Sequence, residues 1–382
     1  MFAPVSAPVV STDPELSRLV AAVQTSGLGR VIGAVGYDQT QWLRSAGVPG
    51  GFANWTTDNA VIGFRDPSGR VRWGLQQTDE PQAWAVVGGN FLNLDLRATR
   101  PVHVAAYDAV TGVIRWCADL GSPTAYGDPL TVAAGSSGSA WVVTAGPTLS
   151  HVDAHGGATS ASLSGVDRAA FVTQIGSLLV IGGRASHLLT APDPKVPAPA
   201  GPVISAFDAG SRELRWQWGQ GVVAHVVGRA GDHVLVEIAG NGRLSLVALA
   251  LDGHERWSVA LPSGTTADMT LRGGMVITRT ERTFSGYDAV TGARRWSRVL
   301  AGSAFPDGFD LSAQPSFGDR VLLGTTATLL ALDPRTGSLT RYALPTAGSS
   351  PTFWPYEIAI SGHSAIVETN AGAVLVALRP QL

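Results

Sequence analysis

The sequence is poor in the features that nucleic-acid-binding, membrane-spanning and disulfide-rich proteins need. Charged residues make up only 15% of its 382 residues, the formal net charge is −2, and no basic stretch occurs. Nothing therefore indicates nucleic-acid binding. Cys117 is the only cysteine, which excludes an intramolecular disulfide framework. No apolar run approaches the roughly 18 residues that a membrane-spanning helix needs.

The chain also lacks the common catalytic and nucleotide-binding motifs. It contains no G-x-S-x-G elbow, no P-loop and no dinucleotide fingerprint. What it has in quantity is hydrophobic residues, at 45%, together with 46 glycines and 23 prolines. That combination is typical of a well-buried globular protein built from short strands joined by many turns.

One phrase recurs along the chain. Tyr107–Trp116 reads YDAVTGVIRW and Tyr287–Trp296 reads YDAVTGARRW. A short apolar strand ends at the Asp, whose side chain can accept hydrogen bonds from backbone amides two residues on. Thr-Gly then supplies the turn, and a second strand ends in Trp. The phrase predicts a β-hairpin with an aromatic anchor.

The phrase repeats with the period of a propeller blade. The Asp residues of successive copies are Asp66, Asp108, Asp153, Asp208, Asp252, Asp288 and Asp333. The last copy has Arg379 at the Asp position, and successive copies are 36 to 55 residues apart. Five copies end in a tryptophan: Trp73, Trp116, Trp216, Trp257 and Trp296. The third copy has Ala161 at the tryptophan position. The sequence predicts an all-β, eight-bladed propeller of four-stranded antiparallel blades, with seven blades as the alternative.

The ends of the chain predict how the ring closes. The last unit stops after its third strand, so we expect a segment within residues 1–28 to pair with Ala373–Leu378 as the fourth. Residues 1–28 are interpreted as an N-terminal arm, with a short helix starting near Pro14 after Ser11, Thr12 and Asp13. Residues 29–382 form the single propeller domain, whose first blade begins with Val31–Gly36.

The phrase A-x-D-x-x-T-G-x-x-x-W resembles the tryptophan-docking motif of the PQQ-like propellers. That family holds the quinoprotein alcohol dehydrogenases and BamB-like proteins of outer-membrane assembly. The residues that carry the resemblance include these: Ala106, Asp108, Thr111, Gly112, Trp116, Gly286, Asp288, Thr291, Gly292, Trp296; a weaker copy is Ala250, Asp252, Gly253, Trp257. The resemblance implies that the small residue two before the Asp leaves room for a neighbouring blade's indole, whose N–H reaches a backbone carbonyl.

The resemblance does not extend to quinone chemistry. Quinoprotein dehydrogenases resemble each other in an adjacent cysteine pair and a calcium-binding Glu-Asn-Asp set, and this chain has one cysteine. His151, Asp153 and His155 alternate like metal ligands, but Asp153 occupies the turn position and His155 lies inside the turn. We therefore predict no cofactor, no metal site and no catalytic residue.

Irregular sequence collects in the loops that leave the blades opposite the Asp turns. This loop-rich face carries a Pro-rich insertion at residues 190–201 and several aromatic residues. Its candidate partner-binding residues are Tyr126, Asp128, Pro192, Pro194, Pro197, Phe305, Asp307, Phe309, Phe353, Trp354 and Tyr356. Either these side chains form a recognition surface, or they plug the channel mouth and cover blade edges.

The functional hypothesis is a non-catalytic, extracytoplasmic scaffold that is monomeric in itself and binds a protein or peptide partner. The Pro- and Ser-rich start contains no intact signal peptide and is typical of a mature or trimmed extracytoplasmic chain. The alternative is an enzyme, a hydrolase, lyase or PQQ-independent dehydrogenase, with its site at the channel mouth. Its candidate titratable groups are Asp128, Asp307, Asp310 and Glu357.

Overall fold

A computed structural model of the chain describes residues 14–26, 28–36, 43–48, 50–56, 61–68, 70–76, 83–87, 89–95, 103–120, 131–135, 139–143, 148–163, 171–182, 202–220, 223–240, 243–265, 269–300, 305, 309, 311, 314–325, 328–343, 357–369 and 372–379. They fall into two compact units, one within 1–82, 107–114 and 300–382 and the other within 83–106 and 115–299.

The fold is an eight-bladed β-propeller of four-stranded antiparallel sheets, preceded by one short helix, α1 (Pro14–Ser26). Blades one and two contain β2 (Leu43–Val48), β3 (Gly51–Thr56), β4 (Val61–Arg65), β5 (Val71–Gln76), and β6 (Ala83–Val87), β7 (Asn90–Asp95), β8 (His103–Asp108), β9 (Ile114–Asp119). Blades three and four contain β10 (Thr131–Ala134), β11 (Ala140–Val143), β12 (Thr148–Val152), β13 (Ala158–Ser162), and β14 (Phe171–Ile175), β15 (Leu178–Gly182), β16 (Pro202–Asp208), β17 (Leu214–Gln220).

Blades five and six contain β18 (Val223–Ala230), β19 (His233–Gly240), β20 (Arg243–Ala250), β21 (Glu255–Ala260), and β22 (Thr270–Arg272), β23 (Met275–Thr280), β24 (Thr283–Asp288), β25 (Arg294–Val299). Blades seven and eight contain β26 (Ser316–Phe317), β27 (Arg320–Gly324), β28 (Thr328–Leu332), β29 (Leu339–Ala343), and β30 (Glu357–Ser361), β31 (Ser364–Thr369), β32 (Gly372–Leu378) with β1 (Gly29–Gly36). The predicted eight blades of four strands are confirmed.

The core lies between successive blades rather than inside any one sheet. Between blades four and five, Val180 and Ala206 of one sheet pack in one cluster with Val236 and Leu249 of the next. The middle strands are therefore covered on both faces and read as continuous apolar runs, such as the LLVIG of β15. The outer strands are largely exposed, as in β25.

The strand that closes the last sheet is β1, not a segment within residues 1–28. It pairs antiparallel with β32, from Gly29 opposite Leu378 to Gly36 opposite Gly372. The expected fourth strand of the last blade thus comes from the N-terminal part of the chain, but one segment later than predicted. Assigning Val31–Gly36 to the first blade was therefore wrong, and that blade starts at β2. The single-domain assignment of residues 29–382 stays a prediction.

Helix α1 packs where blades seven and eight meet. It begins at Pro14, where the capping residues predicted a helix start. Its buried side chains Leu16 and Val23 belong to the cluster that holds Phe317 and Tyr342 of blade seven and Val376 of blade eight. The amphipathic spacing of the helix is thereby satisfied against the two sheets.

Three docking tryptophans, Trp73, Trp216 and Trp257, stack on the turn glycine of the following blade. A Cβ built on Gly112 would come within 2.6 Å of the Trp73 indole, on Gly253 within 2.8 Å of Trp216, and on Gly292 within 2.7 Å of Trp257. These glycines also have φ values of 70°, 89° and 72°. Glycine is required here twice, for the left-handed backbone and for the room that the indole occupies.

These three indoles also donate a hydrogen bond to the turn. The Nε1 atoms of Trp73, Trp216 and Trp257 donate to the carbonyl oxygens of Ala109 at 3.1 Å, Leu251 at 2.8 Å and Val290 at 2.7 Å. Trp116 differs: its indole lies against Gly156, but its buried Nε1 has no acceptor among the described residues. The turn that it meets is one residue shorter, because Asp153 N bonds to Gly157 O whereas Asp288 N bonds to Ala293 O.

The register changes three details of the predicted motif. Gly286 lies opposite Trp296 of its own blade, and a Cβ there would overlap that indole, so the small residue makes room for its own blade's tryptophan. In blade five Trp257 lies opposite Ala248, not Ala250. In blade three the position two before the Asp, His151, pairs with Thr159, so Thr159 and not Ala161 occupies the tryptophan place.

At one junction both the tryptophan and the glycine that would receive it are replaced. Blade three has Thr159 in the tryptophan place, and blade four has Arg212 where the other turns have glycine. Arg212 keeps the left-handed φ of 61°, and its guanidinium donates a hydrogen bond to Thr159 Oγ1. Because no indole covers this turn, a long side chain fits and bridges the two blades instead.

We expect Gly253→Ala to destabilise the protein far more than Gly231→Ala. Both glycines are left-handed, but a Cβ at Gly253 meets the Trp216 indole whereas none of the described atoms lies within 4 Å at Gly231. Denaturant unfolding should give a loss of about 1–2 kcal/mol for Gly231→Ala and about 3 kcal/mol or more for Gly253→Ala. Equal losses would show that the stacking contributes nothing.

Restoring the missing pair should reveal favourable coupling. Thr159→Trp alone places an indole against the Arg212 side chain, and Arg212→Gly alone removes the bond to Thr159, but the double variant recreates the contact of the other blades. A double-mutant cycle of unfolding free energies should give coupling of about 1–2 kcal/mol. Additive effects would contradict the coupled loss of the two residues.

Candidate functional site

The carboxylates of the Asp turns are occupied by backbone amides. Asp108 Oδ1 accepts hydrogen bonds from the amides of Val110 at 3.0 Å and Thr111 at 2.8 Å. The same pattern recurs at Asp208, Asp288 and Asp333. Each turn thus satisfies its own amides locally, as Asp favours in turns.

An arginine precedes the docking tryptophan and binds the same aspartate, a feature that the sequence reasoning missed. Arg72 lies 2.7 Å from Asp66, Arg215 lies 2.8 Å from Asp208, and Arg295 lies 2.8 Å from Asp288. The Arg-Trp dipeptide at the end of each complete phrase is the signal that could have revealed it. In every case the arginine reaches back across the hairpin from the outer strand.

These contacts keep the turn aspartates ionised. Amide hydrogen bonds, first from Ser211, and then Arg215 lower the pKa of Asp208 from 3.8 to about 2. Arg295 is the largest cause that lowers the pKa of Asp288 to about 2, assisted by the turn amides. Carboxylates held in this way are poorly suited to general-acid catalysis, since a general acid needs a pKa near the working pH.

Asp288→Asn should reduce stability at neutral pH and lose that effect in acid. The folded-state pKa of Asp288 is depressed, so its stabilisation is present above its ordinary value of 3.8 and is lost as pH falls through about 2. Denaturant unfolding at a series of pH values should show the variant and the parent converging below about pH 3.

Asp319→Asn is the matched control for this series. Its carboxylate is 72% exposed and lies 3.8 Å from Arg335, so its loss should change stability little at any pH. A constant gap between Asp288→Asn and the parent down to pH 2 would contradict the account.

The His151, Asp153 and His155 trio is drawn into packing and turn formation. The His151 ring lies 4.3 Å from the Trp141 ring, and burial, followed by the charge of Arg212, lowers the His151 pKa. Asp153 Oδ1 accepts from the amides of His155 and Gly157. Within the part of the chain that the structure describes, no group of three or more His, Cys, Asp or Glu side chains is arranged to hold a metal ion.

Two of the candidate partner-binding residues lie in contact in the segment before blade seven. The rings of Phe305 and Phe309 are 4.6 Å apart and tilted by 58°. Phe309 is buried, as is Leu311, whereas Phe305 is half-buried. Phe309 therefore has a packing role, and Phe305 rests on it with part of its surface accessible.

The remaining candidates lie outside the described residues: Tyr126, Asp128, Pro192, Pro194, Pro197, Asp307, Phe353, Trp354 and Tyr356. Of the carboxylates named for the enzyme alternative, Asp310 also lies there. Glu357 begins β30 and is in register with Glu368.

A cleft of about 470 Å³ lies where blades eight and one meet, and the sequence reasoning did not predict it. It is lined by Gly47, Val48, Ile360, Ser361 and His363, among others. The Ser361 hydroxyl is buried and donates to the Val48 carbonyl at 2.8 Å, so it is engaged in holding the two blades together. None of the residues that line the cleft carries a carboxylate.

The comparisons with known proteins agree with this geometry. Residues 200–352 match a family model described as outer membrane protein assembly factor BamB. The crystal structure of BamB from Moraxella catarrhalis superposes with a TM-score of 0.57 at 16% identity, covering 92% of this chain and 98% of that one. The fold is a PQQ-like β-propeller.

Two further solved structures share the fold. The Dos1 propeller matches with a TM-score of 0.62 at 11% identity, covering 92% of this chain and 96% of that chain. The dihydro-heme d1 dehydrogenase NirN matches with a TM-score of 0.57 at 11% identity, covering 79% and 66%. The comparison with curated proteins gives no significant match.

Among the described residues, no helix has the length and apolar character to cross a membrane.

Proposed function

We propose that this PQQ-like propeller is a non-catalytic scaffold that binds a protein or peptide partner through its loop-rich face. The match of residues 200–352 to a BamB family model and the coverage of 98% of a BamB chain support a role of this class. Fold likeness alone does not assign an activity, and the residues of each face determine which face can bind a partner.

The two faces of a blade have different chemistry. On the Asp-turn face, the aspartates, turn amides and glycines are used by the hairpin and by the indole of the preceding blade. Little of that chemistry is left for a ligand. By sequence, the segments that we assign to the other face vary in length and carry the aromatic residues, which favours this face for recognition.

The single observation that carries the proposal is the partial exposure of Phe305. Its ring is half-buried against Phe309, which is buried, so the exposed part of Phe305 is held in place before any partner arrives. Preorganised aromatic side chains cost little entropy on binding and are frequent hot spots of protein interfaces. We assign Phe305 the role of anchor and Phe309 the role of its support.

An extracytoplasmic location completes the proposal. The family model that matches describes an outer membrane assembly factor, and the Pro- and Ser-rich N-terminal composition is consistent with a chain outside the cytoplasm. The proposed partner is a protein or peptide of the cell envelope, and the propeller is proposed to act as a monomer.

Site-specific photocrosslinking tests the proposal. With benzoylphenylalanine at position 305, cells should yield a discrete protein adduct, whereas the same group at Thr111, in an Asp turn, should yield none. Phe305→Ala should reduce partner capture by about tenfold with unchanged melting. Phe309→Ala should instead lower stability by about 3–5 kcal/mol.

Two outcomes would contradict the proposed scaffold function. Adducts formed from Thr111 but not from position 305 would place the partner on the wrong face. Turnover of a small molecule that is lost in Asp307→Asn or Asp310→Asn, without any protein adduct, would favour the enzyme alternative.

A further inference from the structure

The outer hairpin of blade six is basic in an otherwise slightly acidic chain. Residues 279–299 contain five arginines and two carboxylates, a net charge of +3, whereas the chain as a whole has −2. The arginines are Arg279, Arg282, Arg294, Arg295 and Arg298, and the carboxylates are Glu281 and Asp288. Such a concentration of one sign attracts ligands of the opposite sign.

Part of this charge is fixed by neighbouring side chains. Arg295 binds Asp288 at 2.8 Å, and Arg294 forms a hydrogen bond with the buried Tyr287 side chain. These contacts hold two guanidinium groups on the outer strand β25 in defined positions.

Arg282 and Arg298 complete the basic surface at the other end of the hairpin. Val299 pairs with Thr283 and Arg298 with Phe284, so Arg282, next to Thr283, lies at the same end as Arg298. Both arginines are exposed, and no described carboxylate lies within ion-pair distance of either. Their charges are therefore available to a partner.

The backbone of β25 is also available. It is the last strand of its sheet, and five of its six residues are exposed, with Trp296 intermediate. Val299 is 65% exposed. An edge strand presents unpaired N–H and C=O groups along one side, and an extended peptide can pair with them.

The charge selects which partner can use this edge. A second copy of the chain would bring one basic strand against another, and like charges across strands repel. The outer strand of blade three, ATSAS, is equally exposed but uncharged, and that of blade five balances Glu255 against Arg256. Only an acidic strand complements β25.

We propose that β25 is a second interaction surface, where an acidic extended segment of a partner protein adds a strand to blade six between Arg294 and Val299. Backbone hydrogen bonds would give the register, and Arg282 and Arg298 would bind carboxylates of the added strand. This surface is distinct from the Phe305 site and does not depend on it.

A fluorescent peptide of alternating glutamate and valine tests this proposal on the full chain. It should bind, and binding should weaken as salt rises from about 50 to about 500 mM. Arg282→Glu with Arg298→Glu should weaken binding at least about tenfold. Arg70→Glu with Arg256→Glu, which changes net charge equally on two other blades, should leave the affinity within about twofold.

Hydrogen exchange provides the readout for strand addition. The amides of residues 294–299 should become protected when the glutamate-valine peptide binds, and a lysine-valine peptide should not bind. The proposal is wrong if the peptide fails to bind, or if both double variants weaken binding equally. It is also wrong if binding leaves these amides unprotected, if anionic vesicles compete as well as the peptide, or if sedimentation shows self-association through this edge.

Discussion

The stacking of one blade's indole on the turn glycine of the next is the contact on which the structure depends. A propeller sheet buries nothing by itself, because its apolar side chains face the neighbouring blades. The indole fastens the outer ends of two sheets, as Trp216 does on Gly253, while the aliphatic cluster fills the space nearer the middle strands. The Asp288–Arg295 pair spans the hairpin whose turn receives the Trp257 indole.

Blades that lack the indole are joined by other means. Between blades three and four, Arg212 takes the glycine's place and bonds to Thr159. Between blades seven and eight, Leu16 and Val23 of α1 pack in one cluster with Tyr342 and Val376. Between blades eight and one, the Ser361 hydroxyl binds the Val48 carbonyl and the β1 strand completes the sheet. Each of these junctions thus has its own physical substitute for the indole.

The fold was largely predictable because its signals are local. Asp, Thr-Gly and Trp within one hairpin specify a turn and an anchor, and their period specifies the blades. The closing strand was not predictable in detail, because GRVIGAVG has a weak strand pattern and gains its role only from β32, far away in the chain. Turn length changed which residue takes the tryptophan position in blade three and which residue lies opposite Trp257 in blade five, and a spacing rule with one length cannot detect either change. In the candidate site, aromatic residues could be located to loops, but the division between the buried Phe309 and the accessible Phe305 depends on packing that no local pattern encodes.

Native-state hydrogen exchange of the turn amides tests most directly whether the indole–glycine contact holds successive blades together. The amides of Gly112, Gly292 and Arg212 each donate to the Asp carbonyl four residues back at 2.8 Å, and the Gly253 amide donates to the Ala250 carbonyl three residues back at 2.9 Å. All four amides are thus hydrogen-bonded within their turns, and differences in exchange report what covers each turn. The account predicts that the three glycine amides, each under an indole, exchange only through large-scale opening, and that Arg212 exchanges faster by about tenfold or more. Equal protection at all four turns would contradict the claim that the indole holds successive blades together.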